Sequence, residues 1–532
     1  MMQQLNDVMD VFRNIKIEDK PIKRYSYYIL ILAIVSLPIF LSKYPHILDF
    51  PGHLARVKIL SAYSDSDFYH GVYQINNDLT PNIAFDFFVY LFHKFLPLLI
   101  AGKLFLFASF AITVSGCAFL HAMLFRNRSF IPLLSSLFLY NLIFHFGFIN
   151  YLLGVGMMLW GAGIWLWLQS HKKSARFIIG LIISGVIFFT HIIAFVLFSS
   201  IVGAIEIERL FANYKNNRPS LGDFIFSIMP LFIPILYFFF FISNTADSTD
   251  IYYVGILQKI KWAALNISWD GGFIDLLSFF AIIALIILVL LRGKILFSRK
   301  MVFPSIVLAL LLFIIPTGYV GGSYLDIRLP IALLYVLLAS CNVSFKSPSV
   351  RHFTVFFVLF IVALKSVLIL KDWKSYDTQV SKIVNQVSKL PQSSTLFLAS
   401  GMLSYPSPQP LGNIHWKRPL YHVASYAVLH KALFIPDIWA EKNQHSIVMK
   451  EAYEKLYEVQ RNVAFLVKSK KELKLLIKKI KDLHLALYKN DINVNPPSLF
   501  LLLLDPNGLD ASDFSDIIIE SCSSRFLLIK IY

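Results

Sequence analysis

Apolar runs near the length of a bilayer-crossing helix recur through the first 370 residues of this chain, and short clusters of lysine and arginine separate them. A membrane helix needs roughly 20 such residues. The runs fall at 25–43, 104–125, 130–147, 149–169, 176–190, 192–208, 222–243, 274–291, 301–317, 329–345 and 353–371. They predict a polytopic α-helical membrane protein of about eleven transmembrane helices. Composition agrees: 57% of residues are hydrophobic and only 15% are charged, with 49 phenylalanines. A net charge of +17 would suggest nucleic-acid binding in a soluble chain. Here the basic residues punctuate apolar runs, with no basic domain interleaved with aromatics, so nucleic acid is not an expected partner.

The basic clusters set an orientation. An N-terminal cytoplasmic segment, residues 1–24, carries Arg13, Lys16, Lys20, Lys23 and Arg24 ahead of the first span, which reads as a signal anchor. With that end inside, Arg126 and Arg128, then Lys172, Lys173 and Arg176, then Arg209, Lys215 and Arg218, then Arg292, Lys294, Arg299 and Lys300, then Lys346 and Arg351 also fall in the cytoplasm. The expected localisation is a membrane crossed many times, with the N-terminus cytoplasmic. Residues 25–371 then form the transmembrane domain, with 44–103 as its first outer loop. Within that loop, 82–98 is apolar but carries Asn82, Asp86, Tyr90 and His93 at helical spacing, which suits an amphipathic surface helix. Residues 176–208 are expected to make two short helices, because one long helix would place Arg292 to Lys300 outside.

Residues 372–532 change character. Charge-rich helical stretches at Glu451–Arg461 and Lys468–Lys481 alternate with strand-like runs at Thr395–Leu398, Ser498–Leu504, Asp516–Ile519 and Phe526–Ile531. They predict an extracytoplasmic α/β domain. It has no phosphate-binding glycine loop. Cys117, Cys341 and Cys522 lie far apart and form no disulfide framework or zinc spacing.

Several residues are candidates for chemistry. Asp49-Phe50-Pro51-Gly52-His53-Leu54-Ala55-Arg56 places an acid, an imidazole and a guanidinium just past the first span. From Asp49, the positions of His53 and Arg56 are i+4 and i+7, one helical face. Asp49 also suits a plain helix N-cap, since Pro51 fits a first helical turn. A carboxylate there can act as general base, and an arginine can hold a phosphate oxygen. Arg328, in Tyr324-Leu325-Asp326-Ile327-Arg328, ends an outer loop where a lipid phosphate would lie; snorkelling or an ion pair with Asp326 is its plainer reading. His191 interrupts an apolar run, as a functional imidazole or a buried neutral one. His145, Asn150 and Tyr151 form a polar turn suited to contacting a sugar or simply to reversing the chain. Gly154, Gly156, Gly161 and Gly163 suit close helix packing. The loop with Asp247, Asp250, Asp270, Gly271 and Gly272 is acidic but has no specific metal spacing.

The segments DFPGHLAR, FGFINYLLGVG, THIIAF, DIRLP and HVASYAVLHKALFIPDIWA (residues 422–440), together with the span pattern, resemble the GT-C glycosyltransferases, closest to bacterial members. That resemblance implies a membrane enzyme that takes a sugar from a polyprenyl-phosphate donor. It implies Asp49 as the catalytic base of an inverting reaction. It implies Arg328 as the basic residue that holds the lipid phosphate. From their own chemistry, His53, Arg56 and His191 are further candidates for that phosphate, and His145, Asn150, Tyr151 and Asp326 for sugar or acceptor contacts. O-mannosyltransferases of the group carry an adjacent Asp-Glu pair, whereas Phe50 follows Asp49 here. No cofactor is certain, and a divalent metal stays open. The expected partners are a polyprenyl-phosphate sugar, a cell-envelope acceptor (glycan, lipid or protein) and the bilayer. A lipid-linked glycan flippase without transferase activity is the alternative, and a polymerase or ligase of whole glycan chains is a third reading.

Overall fold

A computed structural model describes residues 21–126, 129–215, 221–242, 251–266, 273–319, 322–345, 347–401, 420, 422–441, 444–463, 467, 469–488, 496–506, 518–523 and 526–532. Residues 1–20 of the expected cytoplasmic segment, Arg128, Arg218 and Lys346, and the loop residues Asp247, Asp250, Asp270, Gly271 and Gly272 lie outside them. The chain divides into two compact units. One comprises 1–41, 106–144 and 148–370. The other comprises 42–105, 145–147 and 371–532.

The first unit is helical. Five described helices of the chain are long and apolar enough to cross a membrane: Leu98–Phe125, Ile149–Leu168, Lys173–Thr190, Leu221–Phe240 and Pro348–Val387. Shorter apolar helices include Ser26–Leu41 and Phe279–Arg292. The helices Leu98–Phe125 and Ile149–Leu168 cross closely. A Cβ on Gly116 would lie 2.7 Å from the Gly156 carbonyl oxygen, and one on Gly156 would lie 2.8 Å from the Thr113 nitrogen. Only glycine fits either place.

Two stretches differ from a plain series of spans, each for a local reason. The run 130–147 is not one helix but a 3-10 helix, Ile131–Phe138, followed by the short helix Leu142–Phe146. Ser135 and Ser136 donate back to the carbonyls of Pro132 and Leu133, both at 2.6 Å. Asn141 donates to the Phe138 carbonyl at 2.7 Å and accepts from the Phe144 N–H at 3.0 Å. Such side chains compete with regular helix bonds. The freed carbonyls find other donors in the apolar interior: Tyr335 donates to Phe138 at 2.9 Å, and Lys365 to Leu137 at 3.1 Å. The second break is at His191. Residues 176–208 form two helices, Lys173–Thr190 and Ile192–Lys215. The extended His191 accepts the Ile193 N–H on its own Nδ1 at 3.1 Å, capping the second helix.

The second unit joins chain segments distant in sequence. A four-stranded sheet has the order Thr395–Ser400, Leu499–Leu504, Phe526–Lys530, Ile518–Ser523. The first pair is parallel and the others are antiparallel. Leu499–Leu504 is buried at every position, which explains its unbroken apolar sequence. The helices Glu451–Val463 and Lys470–Tyr488 accompany it; the second buries Leu473, Leu476, Ile480 and His484 at helical spacing. Residues 42–105 belong here as well. Their strand Tyr73–Ile75 pairs antiparallel with Ile447–Met449. The Asp377 carboxylate accepts the N–H groups of Lys43 at 2.7 Å and Tyr44 at 2.6 Å. The helix Ala84–His93 turns Phe85, Asp86 and Val89 inward and leaves Phe87, Tyr90 and Leu91 exposed. Its outward face is therefore apolar, as an interfacial helix requires.

Candidate active site

The helix Phe50–Ala62 starts with Asp49 at the N-cap position and Pro51 in its first turn, as the sequence suggests. The Asp49 side chain, however, makes no capping hydrogen bond. Its backbone is fixed instead by the 145–147 turn. Leu48 N–H donates to the His145 carbonyl at 2.9 Å, and Asp49 N–H donates to the Phe146 carbonyl at 3.2 Å. Gly147, at φ +95°, closes this turn, and a Cβ there would sit 2.7 Å from the Asp49 Cβ. Only glycine satisfies both demands. His145 thus serves through its carbonyl; its ring packs edge-on to His46 at 5.0 Å.

The buried Asp49 carboxylate faces an imidazole. His422 Nε2 lies 3.5 Å from Asp49 Oδ1, and His422 Nδ1 lies 2.6 Å from Asp437 Oδ2. All three side chains are buried. Burial pulls the His422 pKa down, but the bonded Asp437 and the nearby Asp49 pull harder, so it stands above the ordinary histidine value. The half-buried Trp439 packs edge-on against His422 at 5.2 Å and against His53 at 6.2 Å.

His53 and Arg56 belong to a second, tightly paired group. The fully buried Arg56 guanidinium grips Asp86 through two hydrogen bonds, at 2.7 and 2.8 Å. It also donates to His53 Nδ1 at 2.9 Å. Ser446 donates to Asp86 at 2.6 Å. The other His53 nitrogen donates to the Gly147 carbonyl. Burial first, and Arg56 second, lower the His53 pKa to about 3. His445 is likewise held well below the usual range by burial, Arg56 and His53. His53 and Arg56, candidates for phosphate, are thus engaged in holding this framework and the glycine turn under Asp49. Among the described residues no group of three or more His, Cys, Asp or Glu side chains is arranged to hold a metal ion.

The remaining candidates lie in the first unit. Arg328 ends the short 3-10 turn Asp326–Arg328 and leads into the helix Leu329–Ser340. Its NH1 is 3.0 Å from His191 Nε2, and its guanidinium lies 3.9 Å from the centre of the Phe148 ring, a cation–π geometry. Tyr151 donates to the Arg328 carbonyl at 2.7 Å and packs edge-on to His191. Asn150 is buried one residue earlier. Asp326 gathers several donors. It takes Thr317 at 2.8 Å, its neighbouring Ile327 N–H at 2.9 Å, and the buried Lys259 ammonium at 3.4 Å.

His191 carries an unresolved demand. A neutral imidazole has one lone pair. Both the Ile193 N–H on Nδ1 and Arg328 on Nε2 call for it. If Nδ1 serves Ile193, then Nε2 bears hydrogen, and two donors converge. Close by in the same unit, Thr190 bonds Val186 and Met157, which line an apolar cavity of about 330 Å³ with Ile112, Trp160, Gly161, Ile164, Ile182, Ile183 and Ile187.

Sequence reasoning missed His422, Asp437 and Trp439 as site residues, although all three stand in the 422–440 segment that carries the family resemblance. It saw Asp86 on a polar helix face but not its role as partner of Arg56.

No protein-family profile and no curated protein matches the sequence. Among solved structures, the chain is similar to ArnT from Cupriavidus metallidurans. The crystal structure bound to undecaprenyl phosphate has a TM-score of 0.49 at 12% identity, over 95% of this chain and 98% of that one. The apo crystal structure gives 0.47 at 11%, over 96% and 98%. Likeness at this level carries no argument about chemistry, so the roles of residues rest on their own geometry.

Proposed function

We propose that this chain is a membrane glycosyltransferase that moves a sugar from a polyprenyl-phosphate donor to a cell-envelope acceptor on the outer side of the membrane. The observation that carries the reading is Asp49: a buried carboxylate released from helix capping, fixed by a glycine turn, and set against an imidazole. In the reaction the acceptor O–H breaks and its proton passes to Asp49. The acceptor oxygen bonds the anomeric carbon from the face opposite the leaving group. The anomeric C–O bond to the lipid phosphate breaks, and the phosphate departs with the electron pair. Inversion follows from this single displacement. A general base of this kind supplies roughly a hundred- to ten-thousand-fold in rate.

In the other unit, Arg328 and His191 suit a phosphate oxygen. An anionic oxygen that accepted from both would settle the competition for the His191 lone pair. The apolar cavity beside Thr190 suits an isoprenoid chain. A polyprenyl phosphate is the donor lipid proposed for this chain. Asp49→Asn tests the reading. Cells carrying it in place of the natural chain should lose the modified glycan by mass spectrometry and accumulate the polyprenyl-linked sugar. A folded Asp49→Asn protein with undiminished product would remove the mechanism. In liposomes, movement of labelled lipid without sugar transfer would favour a flippase.

A further inference from the structure

We propose that His422 and Asp437 form a positioning dyad that sets the orientation and charge of the Asp49 carboxylate. The proposal rests on the reading of Asp49 as base and adds two residues to its machinery.

A carboxylate only accepts, so the 2.6 Å contact from Asp437 places a proton on His422 Nδ1. A neutral ring would then turn the Nε2 lone pair toward the Asp49 carboxylate, 3.5 Å away, and the two would repel. A second proton on Nε2 converts repulsion into attraction. The imidazolium then lies between two carboxylates and favours an ionised Asp49, the state a base needs.

From the helix Phe50–Ala62 and its cap, the groups facing His422 are Asp49 and His53. From its own loop they are Asp437 and Trp439. His53 is held neutral, with its pKa near 3, and Asp86 answers the Arg56 charge. The two carboxylates raise the His422 pKa. Burial opposes them. As pH rises through the elevated His422 pKa, the Nε2 proton leaves and the clamp on Asp49 is lost. Turnover should therefore fall on the alkaline side.

The test is the pH profile of kcat and KM for the full-length protein in nanodiscs. Turnover is read as release of polyprenyl phosphate from the polyprenyl-linked lipids of a deletion strain. Asp437→Asn should move the alkaline limb of kcat to lower pH, since burial then acts on His422 with one carboxylate fewer. Asp437→Glu, which keeps the charge, should restore it. His422→Gln should remove the limb and lower kcat about tenfold or more at neutral pH, with KM little changed. Melting curves identify any variant that fails to fold; for such a variant the Glu rescue decides. An unmoved limb in folded Asp437→Asn and His422→Gln, with Asp49→Asn inactive, would overturn the dyad and leave the base in place. An active Asp49→Asn would overturn the underlying reading instead.

Discussion

The Arg56 group and the Arg328 group present the same pair of side chains, an arginine against a histidine, among different partners. Arg56 has a carboxylate of its own, Asp86, in a two-bonded grip, and His53 has one donor for its lone pair and one carbonyl for its proton. Arg328 meets His191 and lies over Phe148, Lys259 reaches Asp326, and His191 is asked to accept twice. A guanidinium whose charge is answered internally is framework; one that meets another donor is suited to an incoming anion. Residue type alone makes the two sites look alike, and the location of the carboxylate distinguishes them.

The contrast breaks first at Asp86. Asp86→Leu leaves a buried, uncompensated guanidinium, and should cost about 3–5 kcal/mol of stability. The double variant Arg56→Leu with Asp86→Leu should recover much of that loss, because no charge stays buried alone. Melting temperatures in detergent of the two single variants and the double would measure it. A double variant no better than Asp86→Leu would show that the pair is more than a charge balance.

The next effect is on binding. Arg328→Gln should weaken undecaprenyl phosphate binding about ten- to a hundredfold, the worth of a charge-assisted hydrogen bond. Stability should change less than in Asp86→Leu. Titration of the lipid into nanodisc-held protein would report it, and unchanged affinity would remove Arg328 from the phosphate site.

The smallest effect concerns acid. The folded pKa of His53 is near 3, against an ordinary 6.5. Between these values the unfolded chain binds a proton that the folded chain lacks. Stability is therefore fully present above about pH 6.5 and falls as pH drops toward 3, by on the order of 1 kcal/mol at pH 5.5. His53→Asn should flatten that slope in melting temperature against pH. An identical slope would assign the acid sensitivity to other groups, such as His445.

Much of this was legible in the sequence where the cause is local. The strands Thr395–Ser400, Leu499–Leu504 and Phe526–Lys530 follow from short apolar runs bounded by polar turns. The break at His191 follows from charge placement, and the His53–Arg56 contact from helical spacing. The partners of these groups were not legible. Ser446 reaches Asp86 across 360 residues, and His422 meets Asp49 from equally far along the chain. No periodicity encodes such a meeting. The 3-10 segment Ile131–Phe138 escaped for a different reason: its apolar content matches a span, while its serines and Asn141 redirect the backbone.

The pairing of Tyr73–Ile75 with Ile447–Met449 has a consequence for biosynthesis. Asn76, just after the first strand, also bonds the His445 carbonyl, 369 residues later. At ordinary rates of translation the first strand waits on the order of tens of seconds for its partner. Throughout that interval Asp49 lacks His422, and Asp86 lacks Ser446. A ribosome that stalls before residue 422 leaves a chain with its membrane helices made but its acid without an imidazole. The surroundings of Asp49 and Asp86 are thus assembled only after the segment from 422 to 449 has been made.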